Sequence, residues 1–397
     1  MARILVLDGH SAAALSVTRS AGRAGHWVAV GANQGLFAAA QLSRYCRSRF
    51  NYPVSTENSN HFLDAVLQFV RSQAIDLVMP MTDWTLGPLS ANREIFAGIC
   101  RTALPSASAL EIASDKYRTI EIAQALGIAV PRTHLITPSS GLSAAEDISF
   151  PVVIKDRFSV RWSGDRAVSG SVAYAYSRAE LENKVSSRLQ NADDVLLQEF
   201  VSGTGVGFSC FIAGGKIFLP FQWERIREVD PRGSASSARK SIPLNDQIVV
   251  LSGRLLAEIG FEGIAMVEYK RMPHGKMVLM EINGRPWGSL ALPMACGIDY
   301  PRYLIDWNLS GTLPPKAIPY KANTACRRIV SELTYLSNLR AGKPQNWPGS
   351  YPSFWKSLAK ISVLWRPGMH YDDVWFSDMH PGVAGIANWF RVRMKSR

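Results

Sequence analysis

Cysteine is sparse in this 397-residue chain, and its spacing excludes two common uses of the residue. The five cysteines are Cys46, Cys100, Cys210, Cys296 and Cys326, and no two of them form a CxxC pair. Structural zinc sites and disulfide frameworks need closely spaced or systematically paired cysteines. We therefore expect neither, and we expect a reducing, cytoplasmic setting.

Long apolar runs are also missing. No stretch reaches the roughly 20 apolar residues that a bilayer-spanning helix needs. The first apolar run, residues 4–7, is too short for the apolar segment of a signal peptide. We expect no membrane span, and the apolar fraction of 47% is typical of a globular chain with a large core.

Two familiar catalytic signatures are absent as well. The seven histidines include no pair at metal-ligand spacing, and no GxSxG or Ser/His/Asp arrangement occurs. The sequence therefore gives no support for a zinc enzyme or a serine hydrolase.

Acidic residues are scarce near the end of the chain. Residues 316–397 hold 13 lysines and arginines against four acidic residues, which accounts for most of the net charge of +12. Such a basic region attracts nucleic acid, anionic lipid or phosphorylated ligands, and charge alone does not choose among them.

The first hundred residues have an alternating pattern of strands and helices. Residues 3–8 predict a buried strand, residues 12–24 a helix, residues 27–30 a second strand and residues 74–81 a third. This order is typical of a parallel, Rossmann-like unit. We expect this unit to end near Pro105.

Further elements follow in the middle of the chain. Ser114 or Asp115 is a plausible cap for a helix that reaches residue 126. Residues 151–155 and 195–201 predict strands, residues 207–221 a hairpin with its turn at Gly214-Gly215, and residues 246–259 a helix.

Residues 264–285 are the most informative segment, because they predict two strands that bring carboxylates together. If the turn is His274-Gly275, Pro273 pairs with Lys276, and counting outward places Glu268 opposite Glu281. Opposed residues have Cβ atoms about 5 Å apart, so two carboxylates there repel unless one is protonated or a cation lies between them.

The next positions on the same strand add to this face. Glu281, Asn283 and Arg285 alternate, so they share one side of the strand. Hard oxygen ligands suit Mg²⁺, and an arginine beside them can neutralise a transferring phosphoryl group. The alternative is a solvated face, which the apolar neighbours of Glu268 and Glu281 disfavour.

These residues resemble a known superfamily. Glu281-x-Asn283-x-Arg285, preceded by Glu268, resembles the metal-binding end of ATP-grasp enzymes. The continuation from Pro286 to Ser289 is similar to their carboxylate–amine (carbon–nitrogen) ligase-like branch.

The resemblance covers roughly residues 1–310 and implies a mixed α/β and α+β fold. A Rossmann-like domain would occupy residues 1–108. A two-lobed ATP-grasp domain would occupy residues 109–310, with its smaller lobe at about 130–200. Residues 311–397 would form a basic, Trp-rich C-terminal extension.

The same resemblance implies nucleotide-binding residues. It assigns phosphate contacts to Lys116 and Lys155, although each would also fit an ordinary surface lysine. Gln198, Glu199 and Val201 resemble the segment between the lobes that meets adenine, although any alternating strand would look similar. The expected cofactors are ATP and Mg²⁺, with Mn²⁺ as the alternative metal.

Two loops are candidates for covering the reacting groups. Residues 158–170 would fold over the phosphates, or else form a plain surface hairpin. Arg239, after a Gly/Ser segment, would bind a substrate carboxylate or acyl phosphate, or else be solvated.

Asp83 follows the third strand, where ligands bind in open α/β sheets, but a turn or cap residue is the alternative.

The C-terminal extension is rich in aromatic residues. Its five tryptophans are Trp347, Trp355, Trp365, Trp375 and Trp389. We expect them to pack on the main body. A basic, aromatic membrane-surface patch and single-stranded nucleic-acid binding are the alternatives.

The sequence thus predicts an ADP-forming ligase that activates a carboxylate as an acyl phosphate and joins it to an amine, with Arg285 and Arg239 as catalytic residues and Glu268, Glu281 and Asn283 as metal ligands. The alternatives are a carboxylase or small-molecule kinase using the same site, or a non-catalytic nucleotide-binding protein. The expected partners are small-molecule carboxylates and amines, with nucleic acid disfavoured. Weak peripheral membrane contact and a homodimer are compatible with the sequence.

Overall fold

A parallel sheet forms the N-terminal part of the computed structural model, which describes residues 1–140, 142–145, 148–189, 194–348 and 350–395. Its strands are β1 Arg3–Val6, β2 Trp27–Asn33, β3 Cys46–Tyr52, β4 Leu77–Met79 and β5 Arg101–Thr102, in the order β3-β2-β1-β4-β5. Its helices are α1 Ala12–Arg23, α2 Ser59–Ser72, α3 Asp83–Ala91 and α4 Arg93–Phe96. The predicted Rossmann-like order is confirmed, and β3 is an additional edge strand.

Two helices connect this sheet to the next one: α5 Ala107–Ser114 and α6 Lys116–Ala125. The predicted cap is confirmed, because the Asp115 carboxylate accepts backbone N–H groups from the first turn of α6.

A small antiparallel sheet follows, in the order β10-β7-β11-β6. The elements of this part are β6 Thr133–Ile136, β7 Val152–Asp156, the hairpin β8 Val160–Ser163 and β9 Arg166–Ser169, β10 Val172–Ala175, α7 Arg178–Leu189 and β11 Val195–Glu199. Apolar side chains between this sheet and α7 form a core of their own.

A larger sheet completes the fold, in the order β16-β15-β12-β13-β14-β17-β18. Its strands are β12 Thr204–Ala213, β13 Lys216–Glu228, β14 Ser236–Ser241, β15 Gly263–Arg271, β16 Met277–Asn283, β17 Ala325–Arg327 and β18 Met369–Tyr371. Its helices are α8 Asp246–Glu258, α9 Ala291–Ala295, α10 Tyr300–Ser310, α11 Ile329–Arg340, α12 Phe354–Ser362 and α13 His380–Lys395. The predicted glycine-turned hairpin and the helix at α8 are confirmed.

The large sheet shares a core with the N-terminal domain. Buried side chains of β1 and α1 belong to the same apolar cluster as Phe221 and Trp223 of β13, Trp287, and Ile305 of α10. The N-terminal domain and the large sheet are therefore packed as one body.

The predicted boundary at residue 310 does not coincide with a break in the structure. β17 pairs with β14, and β18 pairs with β17, so the last two strands of the large sheet come from the C-terminal extension. The extension is an integral part of this sheet because β17 pairs with the backbone at the edge of β14.

A buried arginine fastens the extension to the N-terminal domain. The Arg19 guanidinium of α1 is fully buried and donates to the Asp378 carboxylate at 2.8 Å and to the carbonyl oxygens of Asp372 and Asp373. It also lies 4.6 Å from the Trp375 ring. A buried guanidinium needs this degree of hydrogen bonding to offset its lost hydration.

The aromatic residues of the extension have mixed environments. Trp347 is buried, and the Trp389 indole N–H donates to Thr334 Oγ1 at 3.0 Å, as the packing prediction requires. Trp355 and Trp365, however, are 75% and 72% exposed, so the packing prediction is wrong for them. They lie on and just beyond α12, which contacts the body chiefly through its other face.

Arg19→Ala should lower the free energy of unfolding by about 3–5 kcal/mol, because it leaves the Asp378 carboxylate buried without its cation. Arg118→Ala is the matched control, since its ion pair with Glu111 is solvent-exposed and should contribute about 1 kcal/mol or less. Urea denaturation of both variants measures the difference. Equal losses would contradict the role of Arg19.

Candidate active site

A cleft of about 320 Å³ lies where the N-terminal domain, α5 and α6, the β8–β9 hairpin and β16 meet. Asp83 and Gly87 of α3 form one wall, and Lys116 of α6 lies beside them. Glu281, Asn283 and Arg285 add polar side chains to the lining, and Arg285 reaches Asp83. Glu281 and Asn283 alternate along β16, which ends at Asn283, and Arg285 follows the strand.

The predicted register of β15 and β16 is confirmed, since Glu268 lies opposite Glu281. The predicted turn is wrong by one position, because the Gly275 N–H donates to the Met272 carbonyl and Pro273-His274 occupy the turn. A β-bulge compensates for this: Tyr269 pairs with Leu279, and the next pair is Glu268 with Glu281, which leaves Met280 unpaired. Without the bulge, Glu268 would lie opposite Met280.

An arginine that the sequence analysis missed neutralises one of these carboxylates. Arg225 of β13 forms an ion pair with Glu268 of β15, although β12 lies between the two strands. Gly205 makes this contact possible, because a Cβ atom there would lie 2.6 Å from Cδ of Arg225. The glycines of residues 203–207 were the available signal, since glycine in a strand marks a close approach.

Burial affects the titration of Glu268. Burial raises the pKa of Glu268, Arg225 lowers it, and the nearby Glu281 raises it again. The carboxylate pair is thus only partly compensated by the protein itself.

Arg285 is held by the N-terminal domain. Its Nε donates to the Asp83 carboxylate at 3.0 Å, and both side chains keep partial exposure to the cleft. The weaker expectation for Asp83, a place near a ligand, agrees with this position. The ion pair orients the guanidinium and leaves its remaining N–H groups near the cleft.

Lys155 of β7 is buried beside the carboxylate pair. Its Nζ donates to Oε1 of Gln198 at 2.8 Å. Burial lowers the pKa of Lys155 to about 8, and the charges of Glu281 and Glu268 oppose this shift. A cation that is costly to keep buried is ready to receive an anionic ligand.

Lys116 joins this group from the start of α6. The ion pair of Asp115 with Arg157, at 2.7 Å, ties the start of the helix to the loop after β7. Lys116 Nζ donates to Ser159 Oγ at 3.0 Å. Burial lowers the pKa of Lys116, and Glu281 acts in the opposite direction.

The segment predicted to meet adenine lies at the end of β11. The Gln198 side chain is 2% exposed and is bonded to Lys155 and to Thr133, so it supports the lysine and does not face a ligand. The Glu199 N–H donates to the Arg132 carbonyl at 2.9 Å, and Val201 is buried. The Gln198 side chain thus supports Lys155, and the adenine contact, which the resemblance assigns to the backbone of this segment, stays a prediction.

The β8–β9 hairpin, within residues 158–170, covers the cleft and touches the N-terminal domain. The Ala167 N–H donates to the Thr56 carbonyl at 2.8 Å, and the Ser59 N–H donates to the Asp165 carbonyl at 2.9 Å. Trp162 packs directly on Gly87, where a Cβ atom would lie 2.4 Å from the indole nitrogen. The segment is a hairpin, and it lies over the cleft.

Arg239 is the expected catalytic residue that the structure sets apart. Its guanidinium is 1% exposed and donates to both oxygens of Asp372 at 2.7 Å. Arg239 does not line the cleft. The expected contact with substrate is wrong because the C-terminal extension supplies a buried partner that sequence reasoning could not foresee.

The donor set of the cleft fits a magnesium ion. Glu281 and Asn283 line the cleft and offer oxygens, whereas Glu268, opposite Glu281, is not among the lining residues. No group of three histidine, cysteine or acidic side chains suited to a metal occurs in the part of the chain that the structure describes. Mg²⁺ fits such a sparse set, because it usually keeps few protein carboxylates and completes its shell with phosphate and water.

Comparison with known proteins gives a family match over part of the chain. Residues 191–330 match the model described as "ATP-grasp in the biosynthetic pathway with Ter operon". Over these residues the chain is similar to ATP-grasp domains. The match includes β12 to β16 and hence the whole carboxylate hairpin.

Relatives of known activity align with this domain over part of their length. A D-alanine–D-alanine ligase of Pseudomonas putida is 24% identical over 209 residues, which are 49% of this chain and 63% of that protein. The chain thus spans less than two thirds of the length of the curated relatives it matches.

Solved structures share the ATP-grasp fold. The L-amino acid ligase of Bacillus licheniformis superposes with a TM-score of 0.58 at 17% identity, over 78% of this chain and 74% of that one. The biotin carboxylase domain of Hydrogenobacter thermophilus 2-oxoglutarate carboxylase, solved with MgADP and bicarbonate, gives 0.63 at 14% identity, over 82% and 73%.

If the cleft binds ATP, its nucleotide affinity should fall as pH rises above about 8. Lys155 attracts phosphate only in its protonated form. Because its pKa is about 8, Lys155 of the free protein loses its proton as the pH rises above this value. Binding then requires proton uptake, and affinity drops by up to about tenfold per pH unit. ATP keeps its charge there, because phosphate groups ionise near pH 6, about two units lower.

Calorimetric titration with ATP between pH 7 and 10, about three pH units around this pKa, measures the effect. Lys155→Arg is the matched variant, because a guanidinium stays charged throughout. Its affinity should depend less on pH than that of the unaltered protein, because only the titration of Lys116 then remains. A flat profile for the unaltered protein would exclude Lys155 as the phosphate-binding group.

Proposed function

We propose that this protein is an ATP-dependent ligase that activates a carboxylate as an acyl phosphate and joins it to an amine. One observation carries the proposal: Lys116 lines the same cleft as the polar side chains of Glu281, Asn283 and Arg285. The charge of Glu281 also raises the pKa of Lys155 and of Lys116, against the effect of burial. This combination suits the polyphosphate and metal of a nucleotide. The similarity to a D-alanine–D-alanine ligase and to an L-amino acid ligase supports this choice of reaction.

The first step transfers the γ-phosphoryl group of ATP to a carboxylate oxygen of the substrate. The bond between the β–γ bridging oxygen and phosphorus breaks, ADP leaves, and an acyl phosphate forms. Lys155 and Lys116 hold the phosphates of the nucleotide, and Arg285, oriented by Asp83, stabilises charge on the transferring group.

Glu268, Glu281 and Asn283 would hold Mg²⁺, with Mn²⁺ as an alternative. The ion would neutralise phosphate charge and relieve the repulsion between the two opposed carboxylates. Arg225 already compensates part of the charge of Glu268, so Glu281 and Asn283 are the principal ligands in this proposal.

In the second step an amine attacks the carbonyl carbon of the acyl phosphate. The carbon–nitrogen bond forms, phosphate leaves with the electrons of the carbon–oxygen bond, and the amine loses a proton. No covalent link to the protein is needed. The β8–β9 hairpin limits the access of water, which would otherwise hydrolyse the acyl phosphate.

Other outcomes of the same chemistry remain distinct from this proposal. A carboxylase or a small-molecule kinase would share the phosphoryl transfer and differ in the acceptor. A non-catalytic nucleotide-binding protein would have no need for the oriented Arg285 next to the carboxylate pair.

The five cysteines are free, which supports a reducing compartment and hence our proposal of a cytoplasmic location.

The exposed aromatic surface of the C-terminal extension favours a second, peripheral role in membrane contact. This aromatic surface consists of Trp355, Leu364, Trp365 and Phe376, which are 67–99% exposed. Residues 341–371 contain Lys343, Lys356, Lys360 and Arg366 and no acidic residue. Apolar side chains surrounded by unopposed cations suit the surface of an anionic bilayer. No helix in the described ranges is long and apolar enough to cross a membrane.

Glu281→Gln and Arg285→Ala should each reduce ADP release by about 100-fold or more, because each removes charge stabilisation of the phosphoryl transfer. Pooled carboxylates and amino acids with MgATP provide the assay. Glu258→Gln and Arg254→Ala on α8 are exposed controls that should keep full activity. Unchanged turnover in the two site variants would place the reaction elsewhere, and ADP release without any amine would favour the kinase alternative.

The double variant Trp355→Ser/Trp365→Ser should bind vesicles of mixed phosphatidylserine and phosphatidylcholine about tenfold or more weakly, since it removes two apolar anchors. Val250→Ser/Leu313→Ser alters two exposed apolar residues elsewhere and is the control. Co-sedimentation at low and high salt measures binding, which salt should weaken. A homodimer in ultracentrifugation, without vesicle binding, would assign the aromatic surface to a second copy of the chain instead.

A further inference from the structure

A second cavity, of about 390 Å³, lies between the N-terminal domain and the C-terminal extension. We call it the extension cavity. His10 and Ser11, at the start of α1, form one side, and Arg328 and Asp373 of the extension form the other. Its size is within the range of small-molecule sites, about 300–1,000 Å³. None of its residues has a role in the proposed phosphoryl transfer or in the attack of the amine.

Two opposite charges in this cavity do not pair with each other. The charge of Arg328 lowers the pKa of Asp373. Within the described residues, however, the Arg328 guanidinium has no hydrogen bond or ion pair. The neighbouring Asp372 is fully occupied by Arg239 and by the Cys326 thiol. The half-buried Arg328 guanidinium is therefore available to an anionic ligand.

The other polar groups point to the same kind of ligand. Asp373 receives the Ile329 N–H at 3.1 Å and keeps further acceptor capacity on its carboxylate. Nδ1 of His10 is buried and has no hydrogen-bond partner in the described part of the chain. The first turn of α1 adds a positive dipole end beside Arg328.

Most of the remaining lining is apolar and includes Leu15, Phe37, Val330 and Trp389. Thr334, Asn388 and Arg393 add polar groups to it. A ligand that fits therefore carries a carboxylate, an adjacent ammonium group and an apolar side chain. We infer that the extension cavity binds a free apolar amino acid, with its carboxylate on Arg328 and its ammonium group on Asp373.

The position of the cavity relates it to the proposed reaction, on which this assignment of a substrate role rests. The His10 ring stacks on Trp84 at 5.6 Å, and Trp84 directly follows Asp83, which lines the cleft. The wall of the extension cavity is thus joined to the wall of the cleft. The bound amino acid supplies the amine substrate, and it enters the cleft from this side after its ammonium group leaves Asp373.

Calorimetric titration of the full chain without nucleotide tests the inference. L-phenylalanine, D-phenylalanine and L-leucine are the probes, with 3-phenylpropionate and phenethylamine as analogues that keep one charge each. At least one amino acid should bind, and each single-charge analogue should bind about tenfold more weakly or worse. Absence of binding by all three amino acids, or equal binding by 3-phenylpropionate, would overturn the inference.

Variants locate the binding. Arg328→Ala should weaken the amino acid by about tenfold, and Asp373→Asn should weaken it similarly while leaving 3-phenylpropionate unaffected. Arg340→Ala, at the exposed end of α11, removes the same charge and should change nothing. Arg328 makes no side-chain contact that folding requires, so its variant should fold. Unchanged affinity in Arg328→Ala would refute the site.

The outcomes also separate this inference from the proposed ligase. Amino-acid binding that depends on Arg328, without ADP release for any carboxylate, would leave the cavity standing and reject the ligase. Amine-dependent ADP release that is indifferent to Arg328→Ala would support the ligase and reject the cavity as its substrate site.

Discussion

Two carboxylates held opposite each other set the electrostatic design of this protein. Glu268 and Glu281 are fixed by the backbone pairing of β15 and β16, so they cannot move apart without breaking the sheet. Their repulsion is offset from two directions, by Arg225 within the large sheet and by Lys155 from the small one. The large and small sheets thus meet around a charge cluster that lacks full compensation, and in the proposed function a metal and a polyphosphate would complete it.

The C-terminal extension is the second structural requirement. It supplies two strands to the large sheet, and Arg19 fastens it to the N-terminal domain. The same attachment creates the extension cavity, whose charged residues Arg328 and Asp373 come from the extension itself.

Local elements were predictable where short-range physics decides them. The Asp115 cap and the helix at α8 follow from capping and apolar periodicity, and the turn at Gly214-Gly215 follows from backbone freedom at positive φ. The pairing of Glu268 with Glu281 was predicted correctly, but a misplaced turn and an unforeseen bulge cancelled each other. The strand β3 was missed because its exposed edge position leaves it mostly polar.

The sequence by itself determined the order of the elements, the face shared by Glu281, Asn283 and Arg285, and the resemblance to ATP-grasp enzymes. These depend on spacing along one strand or one helix. Only the tertiary structure decided the partners of the arginines. Arg225 is 43 residues from its partner Glu268, and Arg239 is 133 residues from its partner Asp372. A guanidinium suits a substrate anion or a buried aspartate equally well, and which of them it meets depends on packing between distant segments, which no local pattern encodes.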